Sequence, residues 1–463
     1  MLVQRGAMTR SHRIASFPRS WHGKLLRRPF FAGAALLLLL VGGLVLAHLI
    51  VVDGDLAGDD EWSMTPPDNV NTGHIGRNAS FHGEYIWKDA AGDQRTVFGG
   101  GDPHAGVDIT ELRITSDATF LYFLVKMSDI TVTTGEGAPQ VQIAIDRDHV
   151  AASGNEWFGK WSETQVVAAA EWEYLVVAAF GSAHDPYVYD TNWADRNAAP
   201  PDPKAEAVIS AVNDIVEIKV PWAIIGGAPA APLYFSVISA QCDGGAENNT
   251  REAFGSDAID VVTNYGNPGL TDNSWTELED GYIDYHFVVW FHLDGGDPEP
   301  SPPLVLNEAM WDPQSEPGGE WVEIYNRTGG ALSLDGYRLS DSATVDAGEG
   351  TKQFPAGQSI APAATKVVAN QATAFFQAHG YAPSYEFGDT DAAVPEMSTD
   401  SAWSSGTTLE LVNDGDELLL LDPCYTVIDA LSWGDGGYPG VSDAPVAGDG
   451  QSVERRQPTK DTN

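Results

Sequence analysis

The sequence predicts an all-β protein with two β-sandwich domains that follow an N-terminal hydrophobic export helix. Apolar residues recur at every second position along many short segments, as at Val141, Ile143 and Ile145, and this period indicates half-buried strands. Glycine, proline, asparagine and aspartate interrupt these segments at short intervals, which is typical of sandwiches. Long helical periodicity is absent beyond the N-terminus, where residues 371–379 are the one short helical candidate.

The first predicted element is a targeting segment, residues 1–48. An apolar run from Phe30 to Val52 is broken only by His48, and about 20 apolar residues can span a bilayer. The basic flank favours an N-terminus inside the cell and the remaining chain outside it. Residues 45–47 offer a cleavage site, so a cleaved signal peptide and a retained signal anchor both stay open. Seven basic residues precede any acidic one: Arg5, Arg10, Arg13, Arg19, Lys24, Arg27 and Arg28.

The rest of the chain is strongly acidic. The formal net charge is −41, and removing the seven positive charges of the targeting segment leaves about −48. Such a field repels nucleic acid and anionic membrane surfaces. We therefore expect no nucleic-acid partner, and membrane contact only through the N-terminal segment. The alternative interpretation, which the moderate acidic share favours, is that the acidity serves simple solubility. The two cysteines, Cys242 and Cys424, do not indicate a disulfide framework.

The second element, residues 49–294, is predicted to be a large sandwich. Val216, Ile218 and Val220 occupy alternate positions, and Pro221 ends that strand. Residues 51–62, 84–96, 106–130 and 257–269, with several segments between them, resemble the carbohydrate-associated β-sandwich modules of amylopullulanases and glucodextranases and, loosely, family 9 carbohydrate-binding modules. The resemblance implies a polysaccharide ligand of the α-glucan type.

The third and fourth elements are a linker and a tail domain. Residues 295–303, GGDPEPSPP, form a Pro-rich acidic linker of the semi-extended type. In residues 304–463, Val322 and Ile324 alternate with polar neighbours. The tail carries a series of motifs in a fixed order: Asn307-Glu308, Pro313, GEWVEIYN at 319–326, LDGYRLSD at 334–341, and related segments at 354–370, 409–423, 427–434 and 451–458.

These tail motifs resemble the lamin-tail domain, an immunoglobulin-like sandwich that bacteria and archaea append to exported proteins. The family is not known for chemistry of its own, so the resemblance implies an exported scaffold that interacts with a cell-envelope component or another protein.

Three tryptophans are the candidate ligand-binding residues. Trp157 and Trp161 lie in the Gly-rich loop GNEWFGKW, and Trp193 lies in the loop DTNWADRN. Indole rings stack on the apolar faces of sugars, and loops at a sandwich end commonly carry binding. The competing interpretation is that most tryptophans are core residues. That interpretation applies to the tryptophans inside strand patterns: Trp172, Trp222 and Trp290.

Calcium is the expected cofactor, if there is one. Asp146 and Asp148 follow a strand and are one residue apart, so that both carboxylates can face a hard cation. The spacing departs from an EF-hand because Val150 and Ala151 occupy its later positions. A solvated acidic loop is the alternative. A second acidic turn contains Asp53, Asp55, Asp59 and Asp60.

No catalytic motif supports an enzyme. The sequence has no Gly-x-Ser-x-Gly elbow between a strand and a helix, no His-Glu-x-x-His and no clustered Cys/His zinc pattern. The expected function is that of an exported, non-catalytic surface protein that binds a polysaccharide. Two alternatives stay open: a purely structural cell-envelope or adhesion protein without sugar affinity, and an accessory subunit of a polysaccharide hydrolase.

Overall fold

The computed structural model describes most of the chain after residue 49. The described residues are 2–4, 50–56, 62–95, 105–182, 185–198, 203–229, 231–245, 249–251, 256–262, 281–294, 297–314, 316, 318–345, 348–445 and 447–457. The predicted export helix lies outside them, as do Asp59 and Asp60 of the second acidic turn. Within the described part of the chain, no helix is long and apolar enough to cross a membrane.

Strands dominate the described residues, as the alternating pattern predicts. Those before residue 301 are β1 Leu2–Gln4, β2 Thr72–Arg77, β3 Gly83–Lys88, β4 Ile109–Ser116, β5 Phe120–Met127, β6 Pro139–Asp146, β7 Gln165–Val166, β8 Tyr174–Ala179, β9 Tyr187–Asp190, β10 Glu206–Ser210, β11 Ile215–Pro221, β12 Leu233–Gln241, β13 Asp260–Val261, β14 Tyr282–Ile283, β15 Phe287–Val289, β16 Phe291–Asp294 and β17 Asp297–Pro300.

The strands of the tail region are β18 Leu304–Met310, β19 Trp321–Asn326, β20 Leu332–Ser333, β21 Arg338–Ser340, β22 Thr351–Gln353, β23 Ser359–Ile360, β24 Thr365–Ala369, β25 Tyr385–Glu386, β26 Ser398–Thr399, β27 Asp416–Leu421, β28 Val427–Trp433 and β29 Val453–Arg455. The predicted helix is present as α1, Ala372–His379, and it ends at Gly380 in the left-handed conformation that closes many helices. Single 3-10 turns span Ala105–Val107, Ala168–Ala170 and Trp222–Ile224.

The middle region consists of two packed layers. The strand order is β10-β11-β5-β4-β3-β2 in the first layer and β13-β12-β6-β8-β9 in the second, with β15 also beside β12. Aromatic rings join the layers, with the ring centroids of Phe123 and Phe235 5.8 Å apart and those of Tyr85 and Phe287 5.4 Å apart. These contacts place the main core between the two layers.

A second apolar cluster covers the outer face of the second layer. Val176 of β8 joins the main core, whereas its neighbours Leu175 and Val177 point to the opposite face. There they pack with Trp172 and with Phe158 from the loop that contains GNEWFGKW. Strand β8 is therefore apolar on both faces, and the Gly-rich loop is attached to the fold by its own core residue.

The tail region is also a two-layer sandwich. One layer has the order β1-β29-β18-β19-β24-β25, and the other contains β28-β27-β21-β22-β26. Trp311 and Trp433 stack between them at a centroid distance of 4.5 Å. Arg455 makes a two-pronged ion pair with the fully buried Asp429, at 2.7 and 2.8 Å. This charge pair and the stacked indoles hold the two layers together.

The two regions share one sheet. Strand β2 runs parallel to β28 with His74 opposite Val427, so that the first layer of the middle region continues into the tail as an 11-stranded sheet. Residues 297–300, inside the predicted linker, form β17 rather than a solvated spacer. Glu299 is buried and accepts a hydrogen bond from the Gly83 N–H at 3.0 Å. The exact domain boundaries stay predictions.

Candidate functional site

The three candidate tryptophans lie on the surface of the middle region. The exposed fraction is 44% for Trp157, 75% for Trp161 and 42% for Trp193. The tryptophans expected in the core behave differently, since Trp172 and Trp222 are buried and Trp290 is half-buried against the main core. Single exposed apolar side chains are common, whereas contiguous exposed apolar patches mark interaction sites, so the arrangement of these three indoles is what matters.

Strand β9 and its loop supply one part of this surface. Tyr187 and Tyr189 lie opposite Val177 and Leu175 of β8, and their rings stack at a centroid distance of 5.5 Å and an angle of 7°. The Trp193 ring meets the Tyr189 ring edge-on, also at 5.5 Å. Both tyrosine rings are half-buried against the second apolar cluster, so the three rings form a continuous aromatic row at the border of that cluster.

The Gly-rich loop supplies the other part. The Trp172 indole N–H donates to the Trp157 carbonyl oxygen at 3.1 Å, and the Trp172 ring meets Trp193 edge-on at 5.5 Å. The Asn155 side-chain amide reaches the Thr191 carbonyl oxygen, at 3.4 Å, in the loop after β9. We call Trp157, Trp161, Trp193, Tyr187 and Tyr189 together the aromatic surface.

Unusual backbone conformation accompanies the exposed indoles. Lys160, Trp161 and Trp193 have φ of +57°, +64° and +61°, a left-handed conformation that costs roughly 1–2 kcal/mol for a non-glycine residue. Neighbouring contacts impose it, since Gly159 exchanges two 2.8 Å hydrogen bonds with the buried Gln142 side chain. Local strain of this kind concentrates at functional sites. Here it coincides with the most exposed of the three indoles, that of Trp161.

Polar groups border the aromatic surface. The Lys160 ammonium lies 3.8 Å from the centre of the Tyr187 ring, which is cation–π distance. Glu156 is exposed beside Trp157. Arg196 lies 3.6 Å from the Asp190 carboxylate at the end of β9. Flat apolar rings flanked by donors and acceptors can stack on a sugar ring and meet its hydroxyl groups.

The predicted metal ligands Asp146 and Asp148 are neighbours in space, and the structure adds Glu173 to them. One oxygen of each carboxylate lies within 4.8 Å of the others. Burial raises the pKa of Asp146 and Glu173. However, Asp146 Oδ1 accepts the His149 N–H at 2.8 Å, and Asp148 Oδ1 accepts the Ser153 hydroxyl at 2.9 Å. These bonds explain the orientation of both side chains without a cation.

A second carboxylate cluster was missed by sequence reasoning. Asp89, Asp93 and Asp260 also bring one oxygen each within 4.8 Å of the others. The two acids of DAAGD are visible in the sequence, but Asp260 is remote along the chain, and nothing in the pattern pairs it with them. Among the residues of the second acidic turn, Asp53 Oδ1 accepts the Asp55 N–H at 2.9 Å, so the Asp53 side chain closes this turn.

Comparison with known proteins supports the predicted lamin-tail fold of the tail region. A family model described as Lamin Tail Domain matches residues 297–435, a span that begins at β17. The search of curated proteins gave no match. One solved structure, a DUF4876 family protein from Bacteroides thetaiotaomicron VPI-5482, is 18% identical with a TM-score of 0.21 over 44% of this chain and 56% of that one. The chain therefore spans about half the length of that protein.

Proposed function

We propose that this chain is an exported, non-catalytic surface protein whose middle region binds a polysaccharide through the aromatic surface. The tail region mediates attachment to a cell-envelope component or another protein. The observation that carries the proposal is the exposure of Trp157, Trp161 and Trp193, the last of which lies against Tyr189 of the stacked Tyr187–Tyr189 pair. The lamin-tail match to residues 297–435 supports a non-catalytic scaffold.

A neutral polysaccharide fits this surface better than other ligands. Sugar rings present apolar faces that indole and phenol rings can cover, and burying exposed apolar area is worth about 25 cal/mol per Å². A formal net charge of −41 disfavours nucleic acids and other polyanions. The resemblance of the middle region to modules of amylopullulanases and glucodextranases supplies α-glucans as the ligand class to test first.

The proposal that the chain is exported is based on the sequence of the N-terminal segment. Its basic flank and apolar run match a signal peptide or signal anchor. The three residues of β1 pair only with β29, at the outer edge of a tail layer. Cleavage or membrane anchoring of residues 1–48 therefore leaves the order β29-β18-β19 unchanged.

Affinity electrophoresis of the full chain in gels that contain starch, glycogen or other polysaccharides tests the proposal. Retardation by an α-glucan, lost in Trp161→Ala, supports it. Phe376→Ala is the matched control, since Phe376 is 54% exposed on α1 and far in sequence from the aromatic surface.

Absence of retardation by any polysaccharide would favour a purely structural envelope or adhesion protein. Co-purification of an amylase-like activity with the chain would favour an accessory subunit of a hydrolase. Calcium binding by Asp146 and Asp148 also stays a prediction, and loss of a bound ion in Asp148→Asn would support it.

A further inference from the structure

The carboxylates of Asp89, Asp93 and Asp260 meet between the two layers of the middle region. Asp89 and Asp93 stand at the two ends of the turn after β3, and Asp260 begins β13 in the opposite layer. One oxygen of each lies within 4.8 Å of the other two. Oxygen ligands at 2.3–2.6 Å from one Ca²⁺ stand at most about 5 Å apart. The spacing therefore matches a shared cation.

The burial of the Asp89 carboxylate needs an explanation. The residue is 3% exposed, and neither of its carboxylate oxygens has a hydrogen-bond partner of acceptable geometry. Both oxygens of Asp93 are also buried without a partner. A buried carboxylate is strongly unfavourable unless it is neutralised, paired or bound to a metal. Four carboxylate oxygens therefore lack the compensation that folded proteins usually supply.

The charges around these oxygens are negative. Burial, with the carboxylates of Asp260 and Asp93, raises the pKa of Asp89 well above its usual range, although the Ala90 N–H lowers it in part. The basic side chain of the same loop, Arg95, donates to main-chain carbonyl oxygens. The charged neighbours that act on Asp89 are the carboxylates of Asp260, Asp93 and Asp108, and a bound cation would relieve their repulsion.

Backbone contacts already hold the Asp260 carboxylate and the turn that carries Asp89 and Asp93. Asp260 Oδ2 accepts the Ile109 N–H at 2.5 Å, and its Oδ1 accepts the Val261 N–H at 2.9 Å. Asp108, next to the cluster, accepts the Gly92 N–H at 3.0 Å and so fixes the turn between Asp89 and Asp93. The site is therefore preorganised on both layers.

We propose that Asp89, Asp93 and Asp260 bind one Ca²⁺, which crosslinks the first and second layers of the middle region. Three carboxylates supply hard oxygen ligands, and each can bind through one or two oxygens. Ca²⁺ accepts such irregular, largely dehydrated cages, whereas Mg²⁺ demands near-octahedral geometry and keeps several waters. The burial of Asp89 and Asp260 therefore favours calcium over magnesium.

Metal binding to the chelator-stripped full chain tests this directly. Equilibrium dialysis against 1 mM calcium should leave a bound ion that Asp89→Asn removes, while Asp148→Asn, in the other acidic cluster, keeps it. Calcium should also raise the Tm of the wild-type chain by roughly 3–6 °C at a concentration well above Kd, and magnesium should raise it less. Asp89 is the best position to change because its oxygens make no hydrogen bond that asparagine would disturb.

The effect of Asp89→Asn on the Tm should change sign when calcium is added, which gives a second readout. Without calcium, Asp89→Asn should melt above the wild-type chain, because it removes a buried acid from a group of acids. With calcium, it should melt below the wild type. A wild-type chain that binds no calcium at 1 mM, or a bound ion that Asp148→Asn removes and Asp89→Asn does not, would overturn the assignment.

Discussion

Trp161→Ala is the sharpest test of the aromatic surface, because its effects on binding and on folding can be separated. A tryptophan buries up to roughly 250 Å², and Trp161 is 75% exposed. The contact area it contributes to the fold is thus roughly 60 Å², which is worth about 1.5 kcal/mol at most at 25 cal/mol per Å². The backbone strain at this position is unchanged by the substitution.

The loss of affinity should be larger than the loss of stability. Truncating a stacking aromatic at a binding hot spot costs about 2 kcal/mol, which is roughly a 30-fold weaker Kd. Trp157 is only 44% exposed, so its truncation removes about 140 Å² of internal contact and as much as about 3.5 kcal/mol of stability. Trp161→Ala should therefore lose binding with a small change in Tm, and Trp157→Ala should lose both.

Calorimetric titration of a soluble glucan, alongside thermal melting of the same samples, measures both quantities. Trp172→Ala sets the scale for a core change, since Trp172 is fully buried and its truncation should cost about 3–5 kcal/mol. The reasoning fails if Trp161→Ala binds the glucan as tightly as the wild type does. It also fails if that variant melts as low as Trp172→Ala, because Trp161 would then be a core residue.

Burial raises the pKa of Asp422 from 3.8 to about 7, so the folded state keeps a proton that the unfolded state releases, and urea titrations should show stability that falls from pH 4 to pH 7. Asp422→Asn should reduce this loss of unfolding free energy between pH 4 and pH 7 by on the order of 3 kcal/mol. Arg455→Met leaves the buried Asp429 unpaired and should cost about 3–5 kcal/mol in the same assay. Residues 304–463 expressed alone should melt cooperatively, and an insoluble product would argue for one continuous unit. Protease added to intact cells should degrade both regions, and full protection of both would contradict export.

Local sequence patterns predicted the features that depend on near neighbours. The period of two residues predicted the strands, and the run at residues 371–379 predicted α1. The Gly-rich setting of Trp161 distinguished it from Trp172, which sits in a strand-like pattern and is buried. In each case the signal lay within about ten residues, which is the range over which turn chemistry and periodicity act.

Features that depend on tertiary contacts could not be predicted in the same way. Asp260 joins Asp89 only because β13 and β3 lie in facing layers. Residues 297–300 have the proline content of a solvated spacer, yet β17 is packed because Glu299 finds the Gly83 N–H and the His82 ring nitrogen, the latter at 2.5 Å. A proline-rich strand is tolerated at such an edge position, and composition alone cannot show the buried partners.

The sheet that β2 and β28 share determines how the molecule would carry a mechanical load. Two modules on a flexible tether can rotate independently, and tension between their ligands first straightens the tether. Here a pull on the middle region reaches the tail through the β2–β28 contact and through the packed strand β17. If the tail holds a partner as proposed, the two regions therefore move together under tension, and the aromatic surface keeps a fixed direction relative to that partner. Inserting residues at 301–303 would therefore not separate the two regions unless the β2–β28 pairing and the contacts of β17 also broke.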